Sequence, residues 1–276
     1  MIKRILVGLG GTPFTTVSTH CATKLAKRHQ AQTTGVTVVD MTKLGKLGPV
    51  PAGAGHYARR MRARRTQVTR EGIEAAVEAF KNSCSDQSVV CRRIEYEQQD
   101  PFTAMIAEAR YNDLTIFGLR SMFDYGFVSD PNKAIIKLVT QGVRPILAVA
   151  DTYRPVKKVL IAYSGSMESA KAIRHFLHLK PWPDVKLHIV HFEEGAGSEP
   201  FLLDHAADFC KAHGFDVRTD LVKGQARTNL MPFAQGIDAD LIVMGNSVHK
   251  TLVKQLLGDT VLETIKSADR PLFLSQ

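Results

Sequence analysis

Two short turns hold the residue types from which a small-ligand site can be built. In Ser164-Gly165-Ser166 two hydroxyls flank a glycine, and Gly10-Gly11-Thr12 repeats the pattern with a single hydroxyl. Each turn follows a run of apolar residues, 159–163 and 5–9. Glycine lets the backbone approach a ligand, and the amides of a following helix N-terminus donate to an anion. Ser166 also reads as the N-cap of that helix. Ser166, Ser247 and His249 are the hydroxyl and imidazole groups near these turns. The chain places no orienting carboxylate beside them, so no nucleophilic triad and no catalytic residue is expected.

The other constellations are ionic. Arg59, Arg60, Arg62, Arg64 and Arg65 fall within seven positions, with Arg70 beyond. Such a run is either a solvated helix face or an element for a polyanion, whether nucleic acid, acidic headgroup or protein. His175 and His178 are spaced to share a helix face, whereas His188 and His191 on a strand point to opposite faces. No cysteine or carboxylate completes either pair, so no metal site is expected.

These residues need a scaffold, and the chain shows it by repeating itself. The run 5–9 matches 159–163, Leu114–Gly118 matches Leu241–Gly245, and Arg144-Pro145 matches Arg270-Pro271, all in the same order. A repeat this long is a duplicated domain rather than a solenoid. The 276 residues divide into units of 1–152 and 153–276, each able to bury a core. In the second unit, strands at 159–163, 185–192, 217–221, 241–244 and 272–275 alternate with helices at 166–179, 200–213, from about 228, and 257–267. That alternation predicts a parallel, doubly wound sheet in each unit. Ligands of such sheets sit beyond the carboxyl ends of the strands, here after the first and fourth.

The formal charge of +9 is uneven. The first 150 residues hold 21 basic against 12 acidic side chains, and the remainder holds 15 of each. No apolar run reaches the roughly 20 residues of a membrane span. Met1-Ile2-Lys3-Arg4 runs straight into a core strand, leaving no room for a signal peptide, and the four cysteines lack metal or redox spacing. A cytoplasmic protein with reduced thiols is expected.

The turns, the stretch Asp240–Gly245 and the ending Ala268-Asp269-Arg270-Pro271-Leu272 resemble the universal stress protein family in its tandem form. The resemblance covers residues 155–276 closely and the first unit through the order of its landmarks. It implies two Rossmann-like five-stranded parallel sheets of order 3-2-1-4-5, joined through their last strands as an intramolecular pseudo-dimer. It also implies a cytoplasmic stress-response protein that works by binding a small ligand or a regulatory protein rather than by catalysis.

Family members that bind ATP carry G-x-x-G-x(9)-G-[ST] after the fourth strand and an acidic residue at the end of the first. The second unit keeps Gly245 and Gly258 but has Val248 at the middle glycine. Asp259 holds the hydroxyl position, Thr260 follows it, and Ser164 holds the acidic position. A carboxylate facing a triphosphate costs about 4 kcal/mol at 4 Å and an effective dielectric near 20. The first unit keeps Gly118 and has Ser121, Pro131 and Asn132 at the other loop positions, with Gly10 at the acidic one. Its intervening loop carries Phe123 and Tyr125, which either line an apolar ligand pocket or plug a vacant cleft. Degenerate nucleotide sites are therefore expected. ATP or AMP bound by the second unit alone, as a regulatory switch, is the alternative, and weak ATP hydrolysis a further one. The chain acts as a monomeric pseudo-dimer or pairs into a homodimer.

Overall fold

The structure is a computed structural model and describes residues 1–37, 55–94, 101–124, 131–141, 143, 145–194, 201–245, 248–250 and 255–275. The first unit contributes strands β1 (Arg4–Leu9), β2 (Gln32–Thr37), β3 (Cys91–Ile94), β4 (Leu114–Phe117) and β5 (Ile146–Ala148). Between them run helices α1 (Pro13–His29), α2 (Gly55–Asp86), α3 (Pro101–Ala109), the single turn α4 (Ser121–Asp124) and α5 (Pro131–Thr140). The second unit contributes β6 (Lys158–Ala162), β7 (Lys186–Glu193), β8 (Asp216–Lys223), β9 (Leu241–Gly245) and β12 (Leu272–Ser275). Its helices are α6 (Met167–Leu179), α7 (Leu202–Ala212), α8 (Ala226–Gly236) and α9 (Asp259–Ser267). A small antiparallel hairpin, β10 (Val248–Lys250) with β11 (Gln255–Leu257), stands between β9 and α9.

Ten strands form one sheet, in the order β3-β2-β1-β4-β5-β12-β9-β6-β7-β8. Read outward from its centre, each half has the order 5-4-1-2-3, so the expected fold class is borne out. Neighbours within a half are parallel. The two halves meet through β5 and β12, which run antiparallel with Leu147 opposite Phe273. Last strand pairs with last strand, as in a dimer built within one chain.

The apolar runs become strands because both faces are covered, which removes the polar alternation of a half-exposed sheet. Ile5, Val7 and Leu9 enter one core while Leu6 enters the other. The first core lies under α1, α2, α6 and α7, and holds Phe80, Phe176 and Phe273 with no exposure. Complete burial of each such side chain stabilises by about 1.5–3 kcal/mol. The second core lies under α3, α5, α8 and α9. The helix boundaries follow local chemistry. Ser166 caps α6, its hydroxyl accepting from the Ser169 amide at 3.2 Å, and Gly214 takes φ +85° just after α7.

The basic run belongs to α2, whose 32 residues span about 48 Å. The second half of this helix packs on the core through Val77, Phe80 and Cys84. Its first half is exposed, including Arg59, Arg60, Arg64 and Arg70. The hairpin β10–β11 departs from expectation, since a plain loop is predicted there. Val248 pairs with Leu257 and Lys250 with Gln255, a register that no two-residue turn signal announces. The segment between the units, near 151–155, lies between β5 and β6.

Candidate functional site

At the carboxyl end of the second half-sheet, the β6 turn, the end of β9 and the start of α9 enclose a cleft of about 250 Å³. Ser164, Ser166, Gly245, Gly258, Asp259 and Thr260 all line it, together with apolar walls from Phe192 and Met244. Gly165 supplies the bend between the two serines, with φ +79°. The hydroxyls form a cluster that includes a third member, Ser169. Ser164 Oγ donates to Ser166 Oγ at 3.0 Å, and Ser169 Oγ donates to the Ser166 carbonyl at 2.8 Å. These are neutral donors held in place by the first turn of α6.

Gly245 is required by packing. A Cβ there would lie 2.5 Å from the Ser169 amide nitrogen and 2.6 Å from the Glu168 carbonyl carbon. Strand β9 and helix α6 therefore touch backbone to backbone at the floor of the cleft, and only glycine allows it. Gly258 is the N-cap of α9, with φ −56°, and its conformation makes no such demand.

Asp259 is the first residue of α9, where its charge complements the helix N-terminus. Its carboxylate lies 3.7 Å from Arg227 Nη1, and both side chains are largely exposed. Water screening and the guanidinium together lower the repulsion that an anion would meet there below the bare Coulomb figure. A second carboxylate, Glu168, also lines the cleft. The sequence gives Glu168 only the look of a first-turn acid on α6, so its place at the cleft is not legible there. Tyr163, Ser169 and Phe192 are likewise lining residues without a sequence signal.

The corresponding region of the first unit is filled by protein. Gly11 takes φ +66°, and a Cβ on it would lie 2.8 Å from the backbone carbon of Gly72, because α2 crosses directly over the turn. Gly10 and Thr12 donate their amides to Thr15 Oγ1 at 3.0 and 3.3 Å, and Thr12 is buried. Gly118 faces Phe14, whose Cβ would stand 2.4 Å from an added Cβ. Phe14 is 2% exposed and occupies the sequence position, two after the turn hydroxyl, that Glu168 holds in the second unit. Ser121 is buried and donates to the Gly118 carbonyl at 2.6 Å, with Leu119 and Met122 buried beside it. Tyr125 and the side chain of Phe123 lie outside the described residues, as does the side chain of Val248 in the second unit.

Arg59, Arg60 and Arg64 are exposed on the first turns of α2, with exposed Tyr57 and Met61 among them. Arg62 and Arg65 belong to the same helix, and their side chains lie outside the described residues. The histidine pairs do not converge. His175 bonds Ser275 Oγ, His178 lies against the His213 ring, His188 bonds the Asp220 carboxylate, and His191 Nδ1 meets the Tyr163 carbonyl at 2.9 Å. Among the described residues, no three metal-ligating side chains gather, and no helix is long and apolar enough to cross a membrane.

Residues 193–275, which include β9, the hairpin and α9, match the model of the universal stress protein family. Over these residues the chain is similar to a universal stress protein domain. A curated universal stress protein of Synechocystis is 23% identical over 165 residues, 58% of this chain and 56% of that relative. Aligned to it, the chain thus spans little more than half the relative's length. Among solved structures, a universal stress protein from Archaeoglobus fulgidus superposes with a TM-score of 0.67 at 15% identity, over 98% of this chain and 95% of its own. A putative universal stress protein from Pseudomonas aeruginosa gives a TM-score of 0.63 at 15% identity, over 99% and 92%. Both span the two halves of the sheet, so the tandem fold is shared along nearly the whole chain.

Proposed function

We propose that the protein is a cytoplasmic stress-response protein that acts by binding, with one small-ligand site per chain in the second unit's cleft. The observation that carries this reading is the contrast between the clefts. One is open and lined by three serine hydroxyls and two helix N-termini; the other is packed with Phe14 and roofed by Gly72. The serine hydroxyls of the open cleft bond to one another and to the backbone of the first turn of α6, which supports a binding role. Its two carboxylates and neutral donors favour a ligand of low negative charge with one apolar face.

ATP or AMP in the same cleft, acting as a regulatory switch, is the second reading. It is favoured by the pairing of Asp259 with Arg227, which removes part of the repulsion. Calorimetric titration with adenosine, AMP and Mg-ATP separates the two. On the first reading ATP binds weakly, and Asp259→Ser combined with Val248→Gly raises its affinity at least about tenfold, equivalent to about 1.4 kcal/mol. Tight ATP binding by the wild type, abolished by Gly258→Val, would replace the first reading with the second.

The exposed arginines of α2 form a separate surface suited to a polyanionic partner.

A further inference from the structure

Cys84 and Cys91 are brought together by the junction between α2 and β3. Cys84 lies in the last turns of α2 and is buried, while Cys91 opens β3, an outer strand of the sheet, and is exposed. The chain between them turns tightly, with the Val89 amide donating to the Cys84 carbonyl at 2.8 Å and the Ser88 amide to Ser85 at 3.0 Å. Thr33 of β2 fixes the return, its amide donating to the Val90 carbonyl at 2.9 Å.

Thr33 also places the two sulfurs. Its hydroxyl meets Cys84 Sγ at 3.4 Å, and in the parallel register it stands directly beside Cys91. Laterally paired residues of a parallel sheet project from the same face, so Cys91 points to the side on which α2 carries Cys84. Thr33 thus stands between the two cysteines, with Cys84 against its hydroxyl and Cys91 beside it in the ladder. The other two cysteines, Cys21 and Cys210, are buried in the core, which pushes their thiols up to about 12. Burial also pushes Cys84 up, to about 11. An oxidant arriving from solvent therefore meets Cys91 first.

We propose that Cys84 and Cys91 form a hydroperoxide-sensitive thiol pair that closes reversibly into an intramolecular disulfide. In the first step the Cys91 sulfur attacks hydrogen peroxide. The O–O bond breaks, Cys91 becomes a sulfenic acid, and water leaves. In the second step the Cys84 sulfur attacks the Cys91 sulfur. The S–O bond breaks, the S–S bond forms, and the hydroxide leaves as water with the Cys84 proton. The product ties the end of α2 to the sheet's outer strand, and α2 is the element that roofs the first unit's cleft.

The test uses the native full-length protein, treated with a few equivalents of hydrogen peroxide, then denatured, alkylated and mapped by mass spectrometry. The expected result is a Cys84–Cys91 linked peptide, two alkylatable thiols in place of four, and full recovery of four after dithiothreitol. Cys91→Ser, at an exposed position, keeps its three remaining thiols under the same dose. Cys84→Ser stops at a sulfenic acid on Cys91 that dimedone traps. Oxidation of Cys91 to the sulfinic acid without the linked peptide would overturn the proposal, as would a Cys91-linked dimer or loss of thiols in Cys91→Ser at the wild-type rate.

Discussion

The two clefts of this chain start from the same backbone and end in opposite states. Both have a glycine turn after the first strand and a glycine just past or at the end of the fourth, and in both that second glycine is demanded by contact with the helix that follows the first strand. The difference lies two residues past the turn hydroxyl. Glu168 leaves the second cleft polar and open, and Phe14 fills the first. Helix α2, far longer than α7 in the matching place, then closes the first turn from above through the Gly11–Gly72 contact. A duplicated fold can thus keep its glycines while losing one of its sites, because those glycines serve packing as well as ligand approach.

The largest effect expected from breaking this comparison is on stability. Phe14→Ala empties the plug of the first cleft and should cost about 3–5 kcal/mol in denaturant unfolding. Glu168→Ala, at the matching position of the open cleft, should cost less than about 1 kcal/mol. Equal losses would mean that the two positions are equivalent and the first cleft is not plugged.

A smaller effect concerns the charge difference between the units. Replacing Arg59, Arg60 and Arg64 with Gln should weaken binding to a polyanion such as heparin and lower the slope of log K against log salt by up to about three. Fluorescence titration across a salt series measures this. A slope unchanged by the three substitutions would move the anionic surface elsewhere.

The smallest effect belongs to an ion pair in the second unit, between Arg270 and Asp269. Arg270 is buried, donates to the Ala234 and Ala239 carbonyls, and bonds Asp269, whose place in the first unit is taken by Val143. The Arg270 guanidinium holds the Asp269 carboxyl below its ordinary value. A depressed carboxyl contributes stability above its unfolded value, near 4, and loses it as pH falls through the lower folded value. Asp269→Asn should therefore cost less than about 1 kcal/mol at pH 7, and the gap to wild type should close in acid. A gap that persisted below pH 3 would assign the loss to packing.

Much of the architecture is legible in the sequence because it is periodic and local. The apolar runs, the Ser166 cap, Gly214 and the order of landmarks lead to a parallel sheet in each unit, and the central β5–β12 seam is what the family resemblance implies. Boundaries shift by a residue or two, as where α8 begins at Ala226 rather than near 228. The site is legible only in its glycines and serines. Phe14 looks like any apolar residue of a helix face, and its partner Gly118 lies over a hundred residues away. Gly72 sits in a charged helix with no sign that it will meet Gly11. Glu168 carries the signal of a helix-dipole acid, and the Arg227–Asp259 pair joins two helices that no local spacing links. Such contacts are made by tertiary packing, which leaves no period in the chain.

The central claim is one open cleft per chain, and native mass spectrometry of the freshly purified protein tests it most directly, with Glu168→Phe beside the wild type. The account predicts a small ligand, co-purified or added, at one per chain in the wild type and none in Glu168→Phe, where phenylalanine plugs the second cleft as Phe14 plugs the first. Two ligands per chain, or one retained by Glu168→Phe, would contradict it.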